Sequence, residues 1–389
     1  MEHRNDDTQL DLEDLIADSQ LRAIKIVAWR DLDDPEAGGS ELHAHRIASI
    51  WAAAGLDVTM RTSQVSNAPQ EVTRDGYRSI RKNGRYSVFP SVMAEGLRSR
   101  RSKHSALVEI WNGMPFLSPL WHRGPRIVFL HHVHAEMWNM ALSPRLAAGG
   151  KAFEGTFAPP LYRSSTVVTL SESSREEICA SLKLPQDKVV VVPPGIDSRF
   201  QPGGTRSPDP YVVAVGRLVP FKRFDDLIRN LVSVKEKIPQ LRASIIGEGY
   251  ERANLESLRD ELGASRWLEL PGRLSDDDQL AHYQSAWIVA STSGKEGWGM
   301  TLTEAAACGT PGIATDIPGH RDAIQDGHSG LLVGPGDSFA GLLSSILLDD
   351  QLRATLSQGA LSYAKTLTWE RTATDIFALL NKSMQSRNG

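Results

Sequence analysis

Glu296 and Glu304 form an E-x7-E pair within Ser293-Gly-Lys-Glu-Gly-Trp-Gly-Met-Thr-Leu-Thr-Glu304. Carboxylates accept paired hydroxyl hydrogen bonds, which is what a ribose diol or a hexose demands. The pattern sets Glu296 in a glycine-rich loop and Glu304 in the first turn of the helix that follows, so both can face one ligand. The amides of Gly299, Met300 and Thr301 at that helix start can hold phosphate. A second reading stands beside this one, because Thr301-Leu-Thr-Glu304 is also a capping box in which Glu304 only satisfies an N-terminal amide. Arg217 and Lys222, in Gly216-Arg-Leu-Val-Pro-Phe-Lys-Arg223, follow an apolar run and offer a planar fork and a mobile point charge to a pyrophosphate. Taken alone, cations in a loop are usually just solvated.

Four further groups carry polar chemistry in the first half of the chain. Asp34-Pro-Glu-Ala-Gly-Gly-Ser-Glu41 follows a strand-like run and opens a helix, so the amides of Gly38 and Gly39 can point at an anion. Its plainer reading is a tight turn with Ser40 as N-cap. The loop lacks the full G-x-G-x-x-G of dinucleotide-binding dehydrogenases. His131, His132 and His134, with Glu136, stand directly after an apolar strand and hence at a carboxyl edge, but H-H-x-H matches no zinc spacing. Asp31-Leu-Asp33 has the D-x-D form of a divalent-cation motif and reads as turn residues. Arg98 to Lys103 is the one strongly basic run, either a solvated loop or a contact for an anionic lipid surface or acceptor.

These groups need a scaffold that delivers them to one edge. Apolar runs at 23–29, 56–60, 106–111, 126–130 and 166–170 alternate with helical or loop stretches, the helix 41–54 among them, as in a parallel sheet wound by crossover helices. A Pro- and Gly-rich stretch, 192–210, interrupts the alternation as a linker. Strands at 211–215, 241–246, 267–270 and 287–290 then alternate with helices at 225–237, 251–263 and 277–286, and another helix falls near 303–308. The expected fold class is α/β, with two Rossmann-like units joined by the linker and facing each other across a cleft. Residues 1–22 read as an N-terminal arm or one marginal helix, and the units as 23–200 and 201–368.

Length and composition agree with this. At roughly 150 residues per domain, 389 residues make two to three domains. A net charge of −4 leaves no global electrostatic footprint for nucleic acid. The expected location is the cytoplasm, since no apolar run approaches the ~20 residues of a membrane span and the acidic start lacks a signal-peptide pattern. Cys179 and Cys308 are too few and too far apart for a disulfide framework or a zinc module.

Taken in order, Gly216-Arg217…Lys222, Gly247-Glu-Gly249, Gly272-Arg273, Glu296-Gly-Trp-Gly299…Glu304-Ala and Gly309-Thr-Pro311 resemble the donor domain of retaining family 4 glycosyltransferases with the GT-B fold. Ala37-Gly-Gly-Ser-Glu41 is similar to that family's first glycine-rich loop, so the resemblance runs from Ala23 over nearly the whole chain. It implies transfer of a sugar from a nucleotide diphosphate, UDP- or GDP-linked, to a hydroxyl of a glycan, glycolipid or small molecule, in carbohydrate biosynthesis. By the same resemblance Arg217 and Lys222 hold the diphosphate, Glu304 the ribose, Glu296 the transferred sugar, and Gly247, Gly299, Met300 and Thr301 belong to the donor site. The backbone at Arg273 and Leu274 meets the base, and Gly38 and Gly39 approach the phosphate from the other domain. The family's functional histidine aligns with His131, with His134 as the second candidate for a sugar or acceptor contact. No obligatory metal or cofactor is implied, because Arg217 and Lys222 supply the positive charge. Residues 369–389 correspond to a last helix that returns to the N-terminal domain, with Trp369 and Phe377 as its anchors. Two other classes remain open: a GT-B nucleotide-sugar epimerase, and a non-catalytic subunit that binds nucleotide sugar.

Overall fold

The computed structural model describes residues 11–98, 104–131, 133 and 144–388. It divides into a first unit, residues up to Gly195 together with Trp369 onward, and a second, Ile196–Thr368. Residues 196–200, expected in the first domain, thus go with the second. Ile196 donates its N–H to Leu367 O at 3.0 Å, and the Phe200 ring meets Tyr283 edge-on at 5.7 Å.

In the first unit β1 (Ala23–Val27), β2 (Asp57–Thr62), β4 (Tyr77–Arg81), β5 (Ser105–Ile110), β6 (Arg126–Phe129), β7 (Thr166–Thr169) and β8 (Val189–Val191) run parallel, and β3 (Glu71–Arg74) pairs antiparallel with β4. The order is β3-β4-β2-β1-β5-β6-β7-β8. Chain direction through the sheet reverses at β1 and β5, the switch point where α/β sheets bind ligands beyond the carboxyl ends of their strands. Helix Gly39–Ala53 covers one face through Ala44, Ile47, Ala48 and Trp51, all fully buried. Helix Trp369–Asn388 joins the same core through Phe377 and Leu380, and Trp51 Nε1 donates to Ala373 O at 3.0 Å. Trp369 packs on His43 with ring centroids 5.5 Å apart.

The N-terminal segment is not a loose arm where it is described. Leu12–Asp18 is helical, capped by Asp11, and buries Leu12 against the first unit's core. Residues 1–10 lie outside the described residues.

The second unit has β9 (Tyr211–Val215), β10 (Arg242–Ile246), β11 (Leu268–Gly272), β12 (Ile288–Ser291), β13 (Gly312–Thr315) and β14 (Gly330–Val333), all parallel, in the order β11-β10-β9-β12-β13-β14. Its switch point lies between β9 and β12. Helix Phe224–Lys237 buries Leu227, Ile228, Leu231 and Val234 on the sheet while its charged face stays in solvent. That periodicity is what made this helix readable.

Candidate active site

The carboxyl end of β9 carries Gly216 and Arg217, and the carboxyl end of β12 carries the loop 292–299, so both flank the switch point of the second unit. Arg217 is exposed, with its guanidinium 6.0 Å from the centre of the Phe221 ring. Lys222 Nζ lies 6.0 Å from the same ring and is ion-paired with Glu296 Oε1, both side chains being largely buried. Ser293 Oγ donates to the same oxygen at 2.7 Å. Burial pushes the Glu296 carboxyl up, but the charge and hydrogen bond of Lys222 and the hydrogen bond of Ser293 outweigh it, and the group titrates below its usual range. Glu296 is therefore an anion held in place, an acceptor for hydroxyls.

A histidine that the sequence reading did not single out stands behind this loop. His320 is fully buried, with Nδ1 at 2.8 Å from Thr315 O and Nε2 at 3.1 Å from Ser291 Oγ. A carbonyl only accepts, so Nδ1 carries the proton and Nε2 accepts from Ser291. Gly319 lets this segment come close: a Cβ there would stand 2.5 Å from Glu296 O. A lone histidine far along the chain from Glu296 gives no signal in sequence.

Glu304 is placed otherwise than the capping-box reading required, and it lies in the second turn of the helix, not the first. Gly299, with φ of +105°, caps helix Met300–Ala307, so Glu304 is the fifth helical residue and reaches no N-terminal amide. The capping box does not form, since Thr301 lies inside the helix and not at its cap. Glu304 Oε2 instead accepts from the Tyr283 hydroxyl at 3.1 Å and lies 3.5 Å from Gln279 Nε2, both on helix Asp276–Ser285. Burial pushes its carboxyl up to about 7, against the opposing Tyr283 hydrogen bond and the Arg199 charge. The first amides of the helix, Met300 and Thr301, have no intrahelical acceptor.

The ends of β9, β10 and β11 are stitched together. Gly216 donates to Ile246 O at 3.0 Å and Gly247 to Gly272 O at 2.9 Å. A Cβ on Gly247 would fall 1.9 Å from Gly216 O, and its φ is +148°, so only glycine permits this approach. Arg273 is exposed and Leu274 half-buried just past β11. The structure thus brings Arg217, Lys222, Glu296 and the glycine turns to one strand edge, while Glu304 looks to Tyr283.

In the first unit the loop after β1 meets the end of β5. Gly38 is the N-cap of helix Gly39–Ala53, and Ser40 lies inside the helix, so Ser40 is not the cap. Gly38 N and Ser40 Oγ each donate to Glu41 Oε2 at 2.9 Å, and Asn112 Nδ2 reaches Ser40 Oγ at 3.2 Å. The Gly38 amide is therefore engaged by the chain's own carboxylate. Asp31 and Asp33 are more than turn residues. Asp31 is fully buried, 2.8 Å from Arg81 Nη2, and accepts from Ser79 Oγ at 2.6 Å, while Asp33 pairs with Arg74 at 2.7 Å and with Arg81 at 2.5 Å. Cations on β3 and β4 neutralise the pair, an arrangement invisible until that hairpin folds beside β2.

His131 is buried at the end of β6, and its Nε2 lies 2.9 Å from Nδ1 of His43. Burial pushes His43 down to about 3, so that ring is neutral. His132, His134 and the run 99–103 lie outside the described residues. Among the described residues no group of three or more His, Cys, Asp or Glu side chains is placed to hold a metal, and no helix is long and apolar enough to cross a membrane.

Comparison with known proteins adds an independent line. Residues 196–362 match the family model described as glycosyl transferases group 1, and residues 37–200 match that of glycosyltransferase family 4. The chain is 31% identical over 245 residues to a D-inositol 3-phosphate glycosyltransferase of Stackebrandtia nassauensis, covering 58% of this chain and 55% of the relative. It is 26% identical over 393 residues to the protein of that name from Acidothermus cellulolyticus, covering 90% and 87%. The alignments span about half the length of several of these curated relatives. Among solved structures, sucrose-phosphate synthase from Thermosynechococcus elongatus superposes with a TM-score of 0.76 at 20% identity, covering 94% of this chain and 100% of that one. Anabaena HepE, in complex with UDP and glucose, gives 0.70 at 18%, covering 92% and 98%.

Proposed function

We propose that this chain, which belongs to glycosyltransferase family 4 and has the GT-B fold, transfers a sugar from a nucleotide diphosphate to an acceptor hydroxyl with retention of configuration. The observation that carries the reading is the convergence of Arg217, the Lys222–Glu296 pair and a helix N-terminus at the switch point of the second unit. As the glycosidic bond breaks, negative charge grows on the diphosphate. A guanidinium, an ammonium and helix amides fixed beforehand stabilise that charge more than they stabilise the intact donor. In this proposal Arg217 and Lys222 bind the diphosphate, with no metal required. Gly247 and the backbone at Arg273 and Leu274 shape the nucleotide pocket, and Glu304 accepts the ribose hydroxyls.

Lys222 is ion-paired with Glu296, and a diphosphate beside the pair would compete for the ammonium while Glu296 orients the sugar hydroxyls. The acceptor hydroxyl attacks the anomeric carbon on the face the phosphate leaves, and the departing phosphate oxygen takes its proton. No protein nucleophile is then needed. Gly39, and Gly38 once its amide exchanges Glu41 for the ligand, belong to the same proposal as an anion contact of the first unit, and His131 as a sugar or acceptor contact at the end of β6. The location proposed is the cytoplasm, with the basic run Arg98 to Lys103 available to an anionic lipid or acceptor.

The test is incubation with UDP-, GDP- and ADP-sugars, with inositol phosphate among the acceptors because the relatives' name points there. Release of nucleoside diphosphate is followed by mass spectrometry, with Arg217→Ala as control. Release from one donor that falls by two or more orders of magnitude in the variant is the expected result. Turnover unchanged in Arg217→Ala refutes the diphosphate assignment, and isomerised donor formed without any acceptor favours an epimerase.

A further inference from the structure

Glu304 does not orient itself. Its carboxylate projects from the second turn of helix Met300–Ala307, and among the described residues the side chains bonded to it come from helix Asp276–Ser285. The Tyr283 side chain is fully buried, its ring meets Phe200 at 5.7 Å, and its backbone carbonyl accepts from Thr310 Oγ1 at 2.6 Å. A phenol has one proton to donate. Gln279 Nε2 lies 3.3 Å from the Tyr283 oxygen as a donor, so the phenol proton goes to Glu304 Oε2. Oε2 is thereby committed to Tyr283, and Oε1 is left as the acceptor for a ligand.

We propose that Tyr283 is a positioning residue for the nucleotide ribose: it holds Glu304 Oε2 so that Oε1, with its two lone pairs, is presented to the ribose hydroxyls. This rests on the reading of the second unit as a nucleotide-sugar site. Tyr283 contacts no ligand and acts only through Glu304. Its hydroxyl is kept protonated by burial and by the Glu304 charge, so it donates at every pH at which the protein works. The other groups that bear on Glu304 are Arg199, which favours its ionised form, Asp197 and Asp276, which oppose it, and the Cys308 thiol, which burial holds protonated. Loss of the Tyr283 hydroxyl removes one of the two leading stabilisers of the carboxylate, and ribose recognition then requires a higher pH.

The experiment compares UDP with 2′-deoxy-UDP, and GDP with 2′-deoxy-GDP, by calorimetric titration from pH 5.5 to 8.5, for the wild type, Tyr283→Phe and Glu304→Gln. Wild type is expected to prefer the ribonucleotide, and Tyr283→Phe to reduce that preference about tenfold, the loss typical of a hydrogen bond to a charged group. The pH at which the preference appears should also rise in Tyr283→Phe. Full preference with an unshifted pH midpoint in folded Tyr283→Phe overturns the inference while leaving the nucleotide site standing. If neither nucleotide binds the wild type, the site reading fails and the inference with it. If Tyr283→Phe does not fold, Gln279→Leu carries the same test, because it removes the donor that turns the phenol toward Glu304. Its expected loss of preference is smaller, about threefold, and an unchanged preference there overturns the inference as well.

Discussion

The Lys222–Glu296 pair makes a quantitative demand. The two side chains are 17% and 16% exposed, between the exposed pairs that contribute almost nothing and the fully buried pairs whose breaking costs about 3–5 kcal/mol. A coupling of about 2 kcal/mol in the ligand-free protein follows from that intermediate burial. It is measured as a double-mutant cycle: urea unfolding of the wild type, Lys222→Ala, Glu296→Gln and the double variant at pH 7.5. Glu296 is below its reference value of 4.5 in the folded state, so its pairing contributes fully above 4.5 and is lost as pH falls through the folded value. The coupling should therefore be flat from pH 6 to 8. Saturating UDP or GDP should shrink it, since the diphosphate then competes for Lys222. Turnover in Lys222→Ala should fall by about two to three orders of magnitude. A coupling under about 0.5 kcal/mol, unmoved by nucleotide, would refute the claim that the two side chains hold each other and that a diphosphate competes for Lys222.

Three further outcomes follow from the geometry. Asp31→Ala leaves Arg81, itself 1% exposed, with Asp33 as its one carboxylate partner among the described residues, and should cost about 3 kcal/mol in urea unfolding; a change under about 1 kcal/mol would show that Asp33 alone suffices. Gly247→Ala forces a Cβ onto Gly216 O at φ +148°, so the second unit should unfold earlier and nucleotide affinity should drop; an unchanged affinity would separate this turn from the site. Glu304 titrates at about 7 when folded, against 4.5 as its reference, so the folded state holds its proton more tightly and stability falls as pH rises from 4.5 to 7. Glu304→Gln should flatten that slope between pH 5 and 7, and an identical slope would show that Glu304 does not carry it.

What sequence made legible was whatever has a short-range period or a charge in unusual company. Apolar runs of strand length fixed most of the parallel strands, and the 3.6-residue rhythm of Phe224–Lys237 fixed its helix. The short hairpin of β3 and β4 escaped, because Glu71-Val-Thr-Arg74 and Tyr77-Arg-Ser-Ile-Arg81 are too polar to stand out as strands. Their polarity has a cause in the fold: Ser79, which is 48 residues along the chain from Asp31, points inward at that carboxylate, and so does Arg81. Alternation exists at the second of these strands, but its buried face sets Ser79 and Arg81 beside Tyr77 and so is largely polar.

The E-x7-E motif shows the other limit. Its chemistry was legible because two carboxylates near a helix start have few other uses, yet the same letters also spelled a capping box. The choice between the two was made by Gly299. Its φ of +105° starts the helix at Met300, two positions earlier than a Thr301 cap would allow, and rotates Glu304 away from the N-terminal amides toward Tyr283 and Gln279. The turn is closely packed as well: Trp298 is buried beside it, and a Cβ on Gly299 would stand 3.2 Å from Leu302, 3.3 Å from Ala323 and 3.4 Å from His320. A motif of this kind names the groups that do chemistry, while the packing of a helix elsewhere in the chain decides which oxygen each one presents. Tyr283, which holds Glu304, and His320, which is bonded to Ser291 and Thr315 behind the Glu296 loop, are therefore read only from the folded unit.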